Sequence, residues 1–251
     1  MRKTLALITL LFSLTATAQV GDHRSELAIG GGAGYVLSRV GFVPKVSQRL
    51  HGGMFGGLTV RYTSEKYFSS ICAIVGEVNY AQMGWKEKLV DNNDQPLLNE
   101  SGVPQQFQRT VSYLQVPVFA RLGWGRERRG FQFFFQAGPQ VGFYLGDTSK
   151  SNFERNEFNL SQRSSTTMQA ANMDVMAIKN KVDYGIVAGI GLEFSQPKMG
   201  HLLFDARFYY GLGDMYGNSK SDEFARSDFM SVMLRLTYLF DILKTNNPKI
   251  K

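Results

Sequence analysis

One cysteine (Cys72) and three histidines in 251 residues leave several chemistries without material. A lone cysteine excludes an intramolecular disulfide and supplies no thiolate pair for a metal. His23, His51 and His201 lie far apart, so no histidine pair has metal-ligand spacing. Beyond the N-terminus no apolar run reaches about 18 uninterrupted residues, which argues against an inner-membrane helix protein. The 28 basic side chains outnumber 21 acidic ones, but they are spread along the chain. A nucleic-acid footprint would be gathered on one face. The glycine-rich stretch 30–34 is followed by no helix, so it forms no phosphate loop. No cofactor, metal or nucleic-acid partner is therefore expected.

Arg2 and Lys3 precede an apolar stretch, Leu5 to Leu14, and then Ala16-Thr17-Ala18. A basic head, a short apolar middle and a small-x-small end predict a signal peptide over residues 1–18, cleaved after Ala18. Gln19 excludes a lipoprotein anchor at that point. Residues 19–251 are then expected to form a single domain, with strands over about 26–240 and a periplasmic tail, 241–251.

That domain is written in period two. From Asp228 to Phe240, Met230, Val232, Leu234, Leu236, Tyr238 and Phe240 share one face, while Ser231, Arg235 and Thr237 share the other. The same scoring yields eight strands: Glu26–Leu37, Gly52–Tyr62, Ser70–Trp85, Thr110–Trp124, Gly130–Leu145, Val182–Phe194, His201–Leu212 and Phe229–Phe240. No helical layer is available to cover so many apolar faces. Lipid covers them if the sheet closes, because a bilayer cannot satisfy an open sheet edge. The pattern therefore predicts an all-β, eight-stranded antiparallel transmembrane β-barrel in the outer membrane of a Gram-negative bacterium.

Connections 63–69, 125–129 and 195–199 are short, whereas 38–51, 86–109, 146–181 and 213–228 are long. Short periplasmic turns and long extracellular loops are the rule for such barrels. Two aromatic girdles are expected. Tyr35, Tyr80, Phe143, Tyr184 and Tyr210 fall near the long-loop end; Tyr62, Trp124, Phe131, Phe194 and Phe240 fall near the short-turn end. The stretch from Tyr184 to Phe194, at about 3.3 Å per residue and a tilt near 40°, covers roughly 25 Å, the height of the lipid-facing band.

The opposite faces gather Arg61, Arg121, Arg207 and Arg235 with Glu77, Asp183, Glu193 and Asp205. Inside a narrow lumen such charges persist only when paired and hydrogen-bonded. A salt-bridged filling of the barrel is the expected arrangement, with a proton or ion path as the alternative. Glycines on the same faces suit a lumen with little room for side chains.

Several stretches resemble the outer-membrane β-barrel family of the Bacteroidota often labelled PorT-like. They are Tyr113-Leu114-Gln115-Val116-Pro117-Val118, Ala137-Gly138-Pro139-Gln140-Val141-Gly142 and the run from Asp183 to Glu193, with Glu77, Tyr80 and Tyr210-Gly211-Leu212 as further landmarks. At position 115 the family often has Glu where this chain has Gln. The resemblance implies an outer-membrane barrel of the porin-like class. It leaves the task open, since only some members are linked to type IX secretion or gliding.

Catalysis has one candidate, His51, at the outer end of the second strand, where it could act beside a loop Ser or Asp on lipid or peptide. Its alternative is an ordinary solvated rim residue. Basic residues near the outer rim (Arg39, Lys45, Arg49, Lys86, Lys88, Arg109, Lys150, Lys179, Lys181) could meet lipopolysaccharide phosphates or stand as solvated charges. The turn Arg126-Glu127-Arg128-Arg129 reads as a charged hairpin. Three functions follow in order: a non-enzymatic envelope scaffold or surface-interaction component with envelope or secretion-system partners; a small porin or secretion-associated channel; and a lipid enzyme or protease using His51.

Overall fold

Alternating side chains build a closed ring in the computed structural model, which describes residues 22–91, 93, 95–153, 176–217 and 224–244. Eight long strands run β1 (Asp22–Val43), β3 (His51–Tyr67), β4 (Ser70–Lys88), β5 (Gln106–Gly125), β6 (Gly130–Ser151), β7 (Val182–Gln196), β8 (Gly200–Gly211) and β9 (Arg226–Leu243). A two-residue strand, β2 (Gln48–Arg49), adds to the edge of β4 beyond the ring. Each long strand pairs antiparallel with its chain neighbour, and β1 pairs with β9 from Leu27↔Leu243 to Val43↔Arg226. The first and last long strands thus close an all-β antiparallel barrel.

All eight predicted strands are present, and several run further toward the long-loop end. β4 continues to Lys88, β5 starts at Gln106 and β6 reaches Ser151. The outward residues of these extensions (Lys86, Lys88, Gln106, Gln108, Thr148, Lys150) are polar. Apolar alternation fades there while backbone pairing goes on, so a period-two score ends each strand too early. The predicted leader 1–18, the side chain of His23, Met168, Met173 and the end of the 241–251 tail lie outside the described residues.

The outer wall carries the apolar face. Leu234, Leu236, Ile186, Ile190, Phe204 and Phe133 are each about half exposed in the isolated chain. The ten predicted girdle residues all sit on this wall, where Phe131 and Phe194 touch with ring centroids 5.0 Å apart. Other aromatics, Phe133, Phe135, Phe204 and Phe208, share the wall between the two predicted girdles, so aromatic surface is not confined to two belts.

The inner face of β7 shows why glycines lie between its two acids, Asp183 and Glu193. A Cβ on Gly191 would stand 2.4 Å from the Phe134 ring, and one on Gly189 would stand 2.8 Å from Arg207 Cγ. The missing side chains are the volume that Phe134 and Arg207 occupy.

Candidate functional site: the lumen and its two mouths

Inward side chains from opposite walls meet across the barrel. Near the short-turn end, Glu193 on β7 accepts both Arg61 nitrogen contacts (2.7 and 2.8 Å) from β3 and the Arg121 guanidinium from β5. Toward the middle, Arg207 on β8 holds Glu77 on β4 through two hydrogen bonds, 2.7 and 3.0 Å, and also engages Asp205. Arg235 on β9 donates to Glu77 and, at 3.0 Å, to the Thr59 hydroxyl. In ring order β3 stands opposite β7, and β4 opposite β8. Arg61–Glu193 and Arg207–Glu77 therefore span the full width of the lumen.

Rings sandwich the charges. The Arg121 guanidinium lies 3.7 Å from the Phe134 centroid, Arg207 4.8 Å from Phe119, and Arg235 5.7 Å from Phe55. Cation–π contact adds to the pairing where water is excluded. Seven of the eight predicted lumen charges fall in these two clusters. Asp183 does not: it takes a hydrogen bond of 2.6 Å from the Tyr209 hydroxyl, nearer the long-loop end.

The short-turn mouth holds a hydrogen-bonded chain that sequence reasoning missed. Ser195 Oγ lies 2.7 Å from His201 Nδ1, and His201 Nε2 lies 2.9 Å from Asp241 Oδ1. Ser195 also donates to Glu193 at 3.2 Å. Partial burial alone would raise the Asp241 carboxyl, but hydrogen bonds from His201 and Lys244 together outweigh it and hold the group at about 2. The signal was available: Ser195 and His201 flank one tight turn, and β9 runs alongside His201. The order Ser–His–Asp is that of a hydrolase, but His201 Nδ1 also lies 2.7 Å from Glu193 Oε1, so the imidazole stands between two carboxylates. Yet Ser195 is 1% exposed, and the concavity beside His201 has a volume of about 30 Å³. That is room for one water, not for an ester. The 126–129 turn is also more than a solvated hairpin: Glu127 pairs with Lys66 at 2.8 Å and Arg128 with Glu26 at 3.1 Å, folding it over this mouth.

The long-loop mouth is closed by different means. Phe42, Val46, Leu89, Ile178, Tyr216 and Phe224, drawn from all four long connections or their flanks, are buried together with Trp85. Phe42 meets Trp85 edge-on at 5.4 Å and Phe224 at 4.7 Å. Arg109 ties the connections, donating to Asp147 (2.7 Å), the Met176 carbonyl (2.7 Å) and the Tyr216 hydroxyl (3.0 Å). Burial works against the Asp147 carboxylate, but hydrogen bonds from Tyr144 and Arg109 keep it below the usual range. Leu89, Ile178, Met215 and Tyr216 of these loops pack inward, while Leu98 and Val103 stand exposed on the 86–109 connection.

His51 departs from the expectation placed on it. The residue is 2% exposed and its Nε2 lies 3.2 Å from the Thr110 hydroxyl; no described Ser or Asp is hydrogen-bonded to the ring, and Ser38 reaches only the His51 backbone carbonyl. The inward parity of β3 buries it under the outer plug. Cys72 sits half-buried on β4. Among the described residues, no group of three or more His, Cys, Asp or Glu could hold a metal ion.

Among the described residues, two concavities open on the outer rim. One, about 610 Å³, is lined by Gln82, Gln108, Thr110 and Ser112 with Lys150 and Asp147. The other, about 480 Å³, collects Arg39, Lys45 and Arg49.

A family model described as outer membrane protein beta-barrel domain matches residues 17–217. No curated protein matches the sequence. Among solved structures, the chain is similar to Ail, the attachment invasion locus protein of Yersinia pestis, solved with the heparin analogue sucrose octasulfate (15% identity, 86% of this chain, 99% of that chain, TM-score 0.34). It is also similar to the outer membrane protein OprG of Pseudomonas aeruginosa (14%, 88% and 98%, 0.40) and to the outer membrane enzyme PagL (10%, 82% and 98%, 0.35). At these identities no role is carried over from any of them.

Proposed function

The chain belongs to the outer membrane protein beta-barrel domain family and resides in the outer membrane, and from that footing we propose that it is a closed, non-enzymatic barrel serving as an envelope scaffold or assembly component. One observation carries this reading. Arg61–Glu193 and Arg207–Glu77 bridge opposite walls at two levels, so the cross-section a solute would need is occupied by paired charges. In an eight-stranded barrel, inward side chains suffice to fill the interior. Within the same proposal, residues 1–18 are a cleaved leader, the short turns face the periplasm, and the PorT-like motifs favour envelope or secretion-system proteins as partners. Lipopolysaccharide surrounds the outer half.

Reconstitution in planar bilayers tests the reading. The closed barrel is expected to give no stable conductance steps. Steps on the scale of a general porin would overturn it in favour of a small porin or secretion-associated channel.

A hydrolase is the second reading, favoured by Ser195–His201–Asp241 rather than by His51. It requires ester hydrolysis by the purified barrel that Ser195→Ala abolishes. The closed-barrel reading expects no hydrolysis in either protein.

A further inference from the structure

We propose that the concavity at Arg39, Lys45 and Arg49 is a binding site for the phosphate group of an outer-leaflet glycolipid. The inference rests on the outer-membrane reading with the long loops outward. Among nine rim cations expected from sequence, the fold brings these three around one recess of about 480 Å³. None of the three makes an ion pair with a described residue, whereas Arg109, on the same rim, is bound to Asp147. No carboxylate lines the recess. Asp228, the acid behind Gly41, is taken by Arg226 at 2.5 Å.

Register adds a second argument. Arg49 stands directly opposite Lys86 in the β2–β4 ladder. Like charges placed so repel each other, and an anion between them converts the repulsion into attraction. The walls are fixed in place. The Gln48 side chain bonds the Val40 backbone on both sides, accepting from its N–H at 3.2 Å and donating to its carbonyl at 2.7 Å. Phe42 and Val46 anchor the loop from behind, in the buried cluster of the outer mouth.

Height and polarity select a lipid. Arg39 pairs across the sheet with Met230, and Met230 pairs with Tyr210 of the outer aromatic set. Arg39 lies on the outward face that also carries Tyr35, and Leu50 and Met230 line the recess beside the cations. A group that is anionic at one end and apolar at the other satisfies both kinds of wall. Two arginines suit a phosphate better than lysines alone, because a guanidinium offers paired donors to its oxygens. The neighbouring 610 Å³ groove has one lysine and an acid, and it lacks this character.

The test uses the full mature barrel in zwitterionic detergent, titrated with bisphosphorylated lipid A, with the same lipid A after phosphatase treatment, and with inorganic phosphate. Lipid A is expected to bind, the dephosphorylated form roughly tenfold or more weakly, and the triple variant Arg39→Gln, Lys45→Gln, Arg49→Gln with a similar loss. Lys150→Gln, in the other groove, is expected to bind as the parent does. Arg39→Lys keeps the charge and should retain part of the affinity, which covers the case of a triple variant that does not fold. Equal binding of both lipid A forms, or an equal loss in Lys150→Gln, overturns the site. Tight binding of inorganic phosphate alone overturns the lipid source. The shift in gel mobility between unheated and boiled samples reports the barrel separately. A variant that keeps this shift without lipid selectivity defeats the inference and leaves the barrel reading standing.

Discussion

The two ends of the lumen are sealed by opposite chemistries. From the short turns to the middle, four arginines and three acids pair in the lumen, all but Arg207–Asp205 across strands. Toward the long loops, Phe42 at the end of β1 and Trp85 on β4 pack with Tyr216 and Phe224 of a long connection as a small apolar core. Charges tolerate no vacancy, because a buried ion that loses its partner keeps its desolvation cost. Apolar side chains tolerate adjustment, because neighbours relax part of the way into a void. The first end should therefore be intolerant of substitution and the second more forgiving.

The largest effect expected follows from removing one ionic hub. Glu77→Ala leaves Arg207 and Arg235 each short of a partner and should cost roughly 3–5 kcal/mol, read from urea unfolding in detergent micelles. A cost near zero would mean that water reaches the hub, and the contrast between the ends would collapse. Phe42→Ala, at the other end, should cost the barrel less than Glu77→Ala does, since neighbouring apolar side chains relax part of the way into the void. It should instead speed proteolysis within residues 86–109 and 146–181. A loss matching that of Glu77→Ala would make the two ends one cooperative unit.

The smallest effect concerns pH at the inner mouth. Asp241, held at about 2 when folded, stabilises the barrel fully above its unfolded value of about 3.9 and loses that contribution as pH falls through about 2. Asp241→Asn should thus lower the thermal midpoint slightly at pH 7, and the difference should vanish near pH 2. A gap that persists in acid would assign the effect to packing rather than charge.

Facing was legible in the sequence; partnership was not. Period-two parity placed Arg61, Glu77, Glu193 and Arg235 inward, because lipid leaves a strand no other place for a charge. Nothing in the local pattern says that Arg61 meets a residue 132 positions away, or that Asp183, of the same parity as Glu193, finds Tyr209 instead of an arginine. Those outcomes depend on the stagger of the strands around the ring. Ser195, His201 and Asp241 escaped notice for a related reason, since their meeting needs β9 beside β8. The outer plug left only scattered hints, such as Phe42, Leu89 and Tyr216, in segments without a period to score.

The closure of β1 on β9 carries a consequence for biogenesis. Glu77 emerges early, yet its partner Arg235 belongs to the final strand, 158 residues later. A nascent sheet lacking that strand has two bare edges and a carboxylate short of one of its guanidinium partners, so it cannot settle in lipid as a partial product. Contacts this distant in sequence slow folding, and here they also set its order. Closure in lipid must wait for β9, which makes that strand a checkpoint for a sheet that lacks it.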